Sequence, residues 1–280
     1  AYTETENELT VKANKRTFIF SKKDGQLKGV SVDNRKISFA NGPRFIGARR
    51  ADRSLDQFYN HDDEKAKEKD RTYSEFPDAA VFTKLDVKQD GGDLIVTANY
   101  KLGNLDKAQW TINPSGDLAL DYTYNFSGVV DLMGIRFDYP EDQVISKRWL
   151  GAGPYRVWQN RIHGTQYDVW ENDYNDPIPG ETFTYPEFKG YFGNVSWMNI
   201  QTKEGTISLT NETPDAYIGV YQPRDGRDRL LYTLPESGIS VLNVIPPVRN
   251  KVNSTDLCGP SSQPKWVNGP QTGRVIFRFM

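Results

Sequence analysis

The side chains that could do acid–base chemistry are few. The chain has only two histidines, His61 and His163, so a zinc site with several histidine ligands cannot be built. Hydrolysis of a glycosidic bond needs two carboxyl groups about 5 to 9 Å apart. The carboxylates near the main aromatic stretch are Glu171, Glu181 and Glu187. Carboxylates in polar loops are more often surface groups than catalysts, so we predict no catalytic residue in this chain.

The aromatic stretch covers residues 148–170, which read RWLGAGPYRVWQNRIHGTQYDVW. Trp149, Trp158 and Trp170 lie in it, and arginine, glutamine and asparagine rather than aliphatic residues separate the rings. Aromatic rings with polar neighbours are typical of surfaces that stack on sugars. Tryptophans buried in a sheet core would give the same pattern. The pattern alone leaves both interpretations open.

Oxygen ligands that suit a hard cation occur together in residues 171–177, ENDYNDP. This segment lacks the ligand spacing and the glycine of a calcium-binding loop. The single cysteine, Cys258, forms no intrachain disulfide and no C-x-x-C pair. Nucleotide-binding glycine motifs and a G-x-S-x-G nucleophile elbow do not occur. We therefore predict no cofactor and no metal, with calcium at residues 171–177 as the one alternative.

The charge balance narrows the choice of partners. Lys and Arg number 35 against 37 acidic residues in a chain of 280, whereas binding of nucleic acid phosphates needs a strong basic excess. No apolar run approaches the roughly 20 residues that span a bilayer, and the N-terminus lacks a signal-peptide pattern. We expect a neutral ligand or a protein as partner, with neither nucleic acid nor membrane. We also expect a mature or excised piece of a periplasmic or exported bacterial protein.

The hydrophobic pattern predicts strands along almost the whole chain. Asp24 and Gly25 separate two β-rich runs and predict a hairpin. Residues 118–126 alternate apolar and polar side chains, as a half-buried antiparallel strand does. Further short strands are predicted at residues 135–139, 195–201, 206–210, 216–221, 239–245 and 274–279.

Helix and loop signals are scarce. Helical composition occurs only at residues 62–71, which carry no apolar stripe that could dock a helix. Residues 168–188 contain three prolines and predict a long irregular loop. The fold class is therefore an all-β sandwich of large antiparallel sheets with very little helix. No domain boundary is forced, and a soft one lies near Asp131.

One motif connects the chain to a known family. Residues 149–161, WLGAGPYRVWQNR, resemble the W-x-G-x-G-P-x-E-N-Y-x-D-R motif in the C-terminal domain of family 2 glycoside hydrolases of the β-galactosidase type. The matching positions are Trp149, Gly151, Gly153, Pro154, Trp158 and Arg161. Arg156 and Val157 replace the Glu-Asn pair of the family, and Asn160 replaces its Asp. Weaker similarity at residues 18–37 and 42–54 extends the resemblance over most of the chain.

The resemblance implies a fold and a role. It implies one supersandwich domain over residues 1–280, the antiparallel β fold shared with galactose mutarotases. The catalytic glutamates of that family sit on a separate barrel, and this chain lacks the alternating strands and helices of such a barrel. The chain would be a non-catalytic C-terminal domain, inactive alone. It would contact other domains of the parent hydrolase, support binding of galactoside-like carbohydrate and complete the substrate pocket.

The resemblance also singles out Trp266. β-Galactosidases of this type lend a tryptophan, from a late loop of this domain, to the edge of the sugar pocket, and Trp266 is its counterpart by position. Glycines and prolines on both sides of Trp266 predict a loop there. The motif at residues 149–161 would then be structural, with its glycines shaping a turn that Arg161 anchors.

Two other functions are compatible with this fold. A free-standing aldose 1-epimerase needs a general acid and a general base across the sugar, and such enzymes typically use a histidine with a glutamate. The surroundings of His163 do not resemble the epimerase histidine segments. A purely structural module would instead press its exposed aromatic rings against neighbouring domains.

Overall fold

A computed structural model describes residues 1–50, 73–173, 190–220, 235–247 and 259–280. In these residues the chain forms two antiparallel sheets and no α-helix. Its only helical elements there are 3-10 turns at Glu141–Gln143 and Pro260–Ser262. The predicted all-β antiparallel sandwich with very little helix is confirmed.

The described strands are numbered in chain order. They are β1 (Tyr2–Glu4), β2 (Glu8–Ala13), β3 (Arg16–Ser21), β4 (Leu27–Val32), β5 (Arg35–Ile37), β6 (Ala40–Arg50), β7 (Tyr73–Glu75), β8 (Val81–Asp90), β9 (Asp93–Lys101), β10 (Leu105–Ile112), β11 (Leu118–Val130), β12 (Leu132–Asp138), β13 (Val144–Gly153), β14 (Gln166–Asp173), β15 (Trp197–Thr202), β16 (Gly205–Asn211), β17 (Tyr217–Gly219), β18 (Ile239–Val244) and β19 (Lys265–Phe279).

Two sheets contain all of these strands. Sheet I has ten strands in the order β1-β2-β3-β4-β6-β12-β18-β17, with β5 paired to β4 and β7 paired to β6. Sheet II has nine strands in the order β14-β13-β15-β16-β19-β11-β10-β9-β8. The soft boundary predicted near Asp131 falls where the chain passes from β11 in sheet II to β12 in sheet I. Strands from both sides of Asp131 build both sheets.

Local sequence explains the elements that were predicted. The hairpin of β3 and β4 turns at Gly25, whose φ of +72° is unfavourable for residues with a side chain. A Cβ at this glycine would lie 2.7 Å from the ring of Phe82. In β11 the predicted alternation is confirmed, because the five side chains predicted to share the apolar face are all buried: Leu118, Leu120, Tyr122, Tyr124 and Phe126.

The main core lies between the two sheets. The ring of Phe39 is 4.7 Å from that of Phe137 in sheet I and 5.0 Å from that of Phe277 in sheet II, measured between centroids. Trp110 is fully buried beside Phe20, with ring centroids 6.0 Å apart. Because both inner faces are lined by such residues, each sheet removes the apolar face of the other from water.

The loop predicted for residues 168–188 is wrong in its first part. Gln166–Asp173 form β14, which pairs with β13 at the edge of sheet II. Most of its side chains on both faces are exposed, so the sequence shows no apolar and polar alternation. The three prolines come after this strand, in residues 174–189, which lie outside the described part of the chain. His61 and the charged residues 62–71 lie outside it as well.

We predict that Tyr122 makes the protein less stable at alkaline pH. Burial raises the pKa of Tyr122 from 10.0 to about 12. The pKa of Tyr122 is higher in the folded state than in the unfolded state. The contribution of Tyr122 to the free energy of unfolding is therefore complete below pH 10 and is lost as the pH rises towards 12. Urea unfolding across this range should show a shallower loss of stability in Tyr122→Phe.

The matched control for this experiment is Tyr2→Phe. Tyr2 is 47% exposed, so its removal should leave the pH dependence of the wild type unchanged. Equal slopes in Tyr122→Phe and in the wild type would show that Tyr122 does not cause the alkaline loss of stability.

Candidate functional site

The aromatic motif begins in the core of the sandwich. Trp149 in β13 is fully buried on the inner face of sheet II. Its indole Nε1 donates a hydrogen bond to the carbonyl oxygen of Ala152 at 3.0 Å. Its ring meets Phe192 edge-on, with centroids 4.9 Å apart. Trp149 is therefore a core residue, and the interpretation of this ring as a sugar platform is wrong.

The glycines of the motif allow close packing. A Cβ on Gly151 would lie 3.0 Å from the carbonyl oxygen of Gly193, and one on Gly153 would lie 2.4 Å from the indole of Trp170. Pro154 follows Gly153 through a cis peptide bond. Neither glycine has room for a side chain, so both positions are constrained by their neighbours rather than by a ligand.

The motif ends in a tight turn on the outer face of sheet I, the face that points away from sheet II. Trp158 is 3% exposed and packs edge-on against Tyr191, with centroids 5.6 Å apart. The backbone N–H of Arg161 donates to the carbonyl oxygen of Trp158 at 2.9 Å and closes the turn. The Arg161 side chain is exposed. A second hydrophobic cluster surrounds Trp158: Ile46, Ala48, Tyr73, Leu132, Val157, Tyr191, Leu242 and Ile245.

A contact that sequence reasoning missed connects the end of the motif to the segment before the C-terminal strand. The side-chain amide of Gln159 donates hydrogen bonds to the carbonyl oxygens of Ser261 at 2.9 Å and Gln263 at 2.7 Å. The amide of Asn160 donates to the Ser262 hydroxyl at 3.0 Å. We call these contacts the amide clamp. It holds the 3-10 turn that leads into β19, about a hundred residues further along the chain.

Trp266 is the second residue of β19, the strand that follows the amide clamp. The predicted loop is wrong here, because β19 begins at Lys265 and Trp266 pairs with Val129 of β11. Pro270 is tolerated in this strand because β16 pairs with β19 only from Val275 onwards. The Trp266 side chain is 71% exposed and points away from the core, on the outer face of sheet II.

Sheet II carries further apolar side chains on this outer face. Val169, Leu150 and Trp197 lie side by side on β14, β13 and β15, and Ile276 on β19 follows beyond Thr210 of β16. Val169 is 40% exposed and the others are half-buried. We call these four apolar residues the apolar row. Since neighbouring strands lie about 4.8 Å apart, the row extends over roughly 19 Å.

The carboxylates proposed as candidates do not form a described site. Glu171 is exposed on β14, with its carboxylate 4.0 Å from the guanidinium of Arg148. Glu181 and Glu187 lie outside the described residues. His163 is exposed in a turn. The described part of the chain therefore brings none of these groups into a buried pocket.

The possible calcium ligands are also separated. Glu171 and Asp173 point to one face of β14, and the buried Asn172 points to the other. No group of three His, Cys, Asp or Glu side chains in the described ranges could hold a metal ion. Asn175 and Asp176 lie outside those ranges. The described helical segments include none that is long and apolar enough to cross a membrane.

Known proteins resemble this chain in sequence or in structure. The family described as beta galactosidase small chain matches residues 12–250. Galactose 1-epimerase from Lactobacillus acidophilus NCFM is 10% identical, with a TM-score of 0.52, over 100% of this chain and 97% of that one. A galactose mutarotase-like protein from Lactobacillus casei ATCC 334 is 12% identical, with a TM-score of 0.44, over 98% and 100% of the two chains. No protein with a curated description matches this sequence.

We predict that the amide clamp stabilises the protein. Gln159→Ala removes two hydrogen bonds made by a side chain that is 9% exposed. It should lower the free energy of unfolding by about 1 to 3 kcal/mol, measured by urea denaturation. Gln201→Ala is the control, because Gln201 is exposed and its removal should change stability by less than about 0.5 kcal/mol. Equal stability of the two variants would contradict a structural role for the clamp.

Proposed function

Since this chain belongs to the beta galactosidase small chain family, we propose that it is the non-catalytic C-terminal domain of a β-galactosidase-like glycoside hydrolase. In this role it supports the binding of a galactoside-like carbohydrate and completes the substrate pocket of the parent enzyme. The other domains of the parent would supply the catalytic groups. The exposed indole of Trp266 is the observation that carries this proposal.

The exposure of Trp266 contrasts with the burial of the tryptophans in the core. Trp110 and Trp149 are fully buried, whereas 71% of the Trp266 surface is accessible. Leaving a large apolar ring in water forgoes the stabilisation that burial would give. A flat indole with an open face can stack on the apolar side of a sugar ring. Contact with a ligand or a neighbouring domain would recover that stabilisation.

Polar groups next to Trp266 complete a surface suited to a carbohydrate. Asn268 lies two residues further along the same face of β19, and Ser127 lies opposite it on β11. The Ser127 hydroxyl donates a hydrogen bond to the Asn268 side-chain oxygen at 2.8 Å. An amide and a hydroxyl beside an indole provide both donors and acceptors for sugar hydroxyl groups.

The same fold could host an aldose 1-epimerase, but the described groups favour the non-catalytic role. Epimerisation needs a general acid and a general base placed within hydrogen-bond reach of the sugar. His163 and Glu171 are both exposed on the surface. Neither lies in a buried pocket that could hold a sugar between an acid and a base.

The apolar row favours a second candidate function, that of a domain-interface module. Val169, Leu150, Trp197 and Ile276 form a transverse band on the outer face of sheet II. Such a band matches the apolar centre of an interface between domains.

If this function holds, Val169→Lys should weaken association with the separately produced catalytic part of the parent enzyme, measured by sedimentation. It should leave saccharide binding unchanged.

We predict that Trp266→Ala weakens saccharide binding by roughly five- to thirtyfold, because one stacked ring contributes on the order of 1 to 2 kcal/mol. Calorimetric titration with galactose, lactose and a galacto-oligosaccharide measures the affinity. Trp266→Phe retains a ring and should bind with intermediate affinity, and Tyr2→Ala controls for loss of an exposed aromatic residue. No heat with the wild type, or equal affinity in Trp266→Ala, would count against the proposal.

Activity of the isolated chain provides an independent test. We expect neither cleavage of a chromogenic galactoside nor faster equilibration of α- and β-galactose than in buffer. Either activity would show that the chain is catalytic and would overturn this part of the proposal. An upstream reading frame that encodes a catalytic barrel joined to this chain would support it.

A further inference from the structure

A groove of about 670 Å³ opens on the face of sheet I that points away from sheet II. Arg44 of β6 and Arg136 of β12 lie at its base, with Asn41 and Asp138 beside them. On the same face of β6, the second hydrophobic cluster begins at Ile46. The groove therefore occupies the part of this face that the cluster leaves uncovered.

Two cations stand side by side in this groove. Arg44 and Arg136 are directly opposite each other on neighbouring strands, an arrangement that is unfavourable for like charges. Each has its own carboxylate: Arg44 pairs with Asp138, and Arg136 lies 3.3 Å from Glu75. The arginine side chains are only 28% and 18% exposed. Two like charges thus face each other inside a cavity. Unfavourable arrangements of this kind are expected in natural proteins at functional sites.

The hydrogen-bonding capacity of the groove is not used up by its own residues. A guanidinium has five N–H donors, and among the described residues the Arg44 guanidinium donates only to Asp138. The Arg136 guanidinium also donates to the carbonyl oxygen of Glu236, and the Nε atoms of both arginines are buried without a hydrogen-bond partner in the described structure. Asn41 donates to the other carboxylate oxygen of Asp138 at 2.8 Å. The partly exposed guanidinium of Arg44 therefore keeps N–H donors that a polar ligand could use.

The charge of the lining indicates the class of ligand. Its cations are Lys36, Arg44 and Arg136, and its carboxylates are Asp138, Glu141 and Glu236. Three positive and three negative groups cancel, so the groove offers little net attraction to a phosphate or another anion. Guanidinium, carboxylate and amide groups each present two polar atoms in one plane. That arrangement suits adjacent hydroxyl groups on a ring, which both donate and accept hydrogen bonds.

We propose that this groove binds a neutral saccharide through vicinal hydroxyl groups, as a second carbohydrate site. It is separate from Trp266, because the two lie on opposite outer faces of the sandwich. Phe137 follows Arg136 in the chain but points into the core, where its ring centroid is 5.4 Å from that of Phe277 on β19. Trp266 projects from the far side of that same strand. The groove site therefore does not depend on the function proposed for Trp266.

The test measures saccharide binding in the Trp266→Ala background, so that only the groove can bind. Calorimetric titration uses galactose, lactose and a galacto-oligosaccharide. Arg44→Lys keeps the positive charge but removes the fork of donors, and it should weaken binding at least about tenfold. The matched control is Arg274→Lys, since Arg274 also pairs with two carboxylates, Asp121 and Glu212, in a smaller groove of about 310 Å³ on sheet II. It should leave the affinity unchanged.

Each remaining outcome decides the question. If the wild type binds saccharide but Trp266→Ala does not, the groove proposal is overturned while the function of Trp266 stands. Binding in the Trp266→Ala background that is insensitive to Arg44→Lys also overturns it. Near-ultraviolet circular dichroism checks that the variants are folded. If Arg44→Lys fails to fold, Asn41→Gly replaces it, because glycine accepts the φ of +53° at this position and removes the amide.

Discussion

Burial of two large apolar faces against each other is the constraint on which the whole structure depends. Phe39 stands at the junction, in contact with Phe137 of sheet I and Phe277 of sheet II. Because the inner faces of the two sheets pack against each other, alternation along each strand places every second side chain on an outer face. Trp266 and the arginine pair of the groove follow directly, since each neighbours a residue whose side chain faces the core.

The motif at residues 149–161 joins three parts of this architecture. Trp149 fills the core, Trp158 fills the second cluster, and Gln159 reaches the turn before β19. The glycines between them let the chain pass close to its neighbours. A stretch that suggests a sugar-binding platform by composition is in fact a structural junction. The exposed ring that could meet a sugar is that of Trp266, which lies on β19 just after the turn that Gln159 holds.

Local patterns in the sequence were sufficient for much of the fold. The alternation in β11 and the hairpin at Gly25 are decided by neighbouring residues, and the structure has both. β14 is exposed on both faces and offers no such contrast, so it was missed. The first half of β19 was missed because Gly269 and Pro270 normally end strands, and only the absence of a described neighbour on that side makes them acceptable.

The candidate site was harder to predict than the fold. Trp266 was found through a family resemblance, but its place in a strand depends on pairing with Val129, more than a hundred residues away. The contacts of Gln159 and the facing of Arg44 and Arg136 depend on register between distant segments. A single sequence contains no local signal for such pairings. These are the features for which the three-dimensional structure was indispensable.

The amide clamp has a consequence for the thermodynamics of any contact made by Trp266. A ring on a free loop would lose conformational entropy each time it bound a ligand, and that loss would weaken binding. Here the loss is incurred once, during folding, when Gln159 fixes the carbonyl groups of Ser261 and Gln263. The indole then meets its partner from a backbone that is already ordered. Recognition at this surface should therefore resemble contact between rigid bodies, with little rearrangement of the chain.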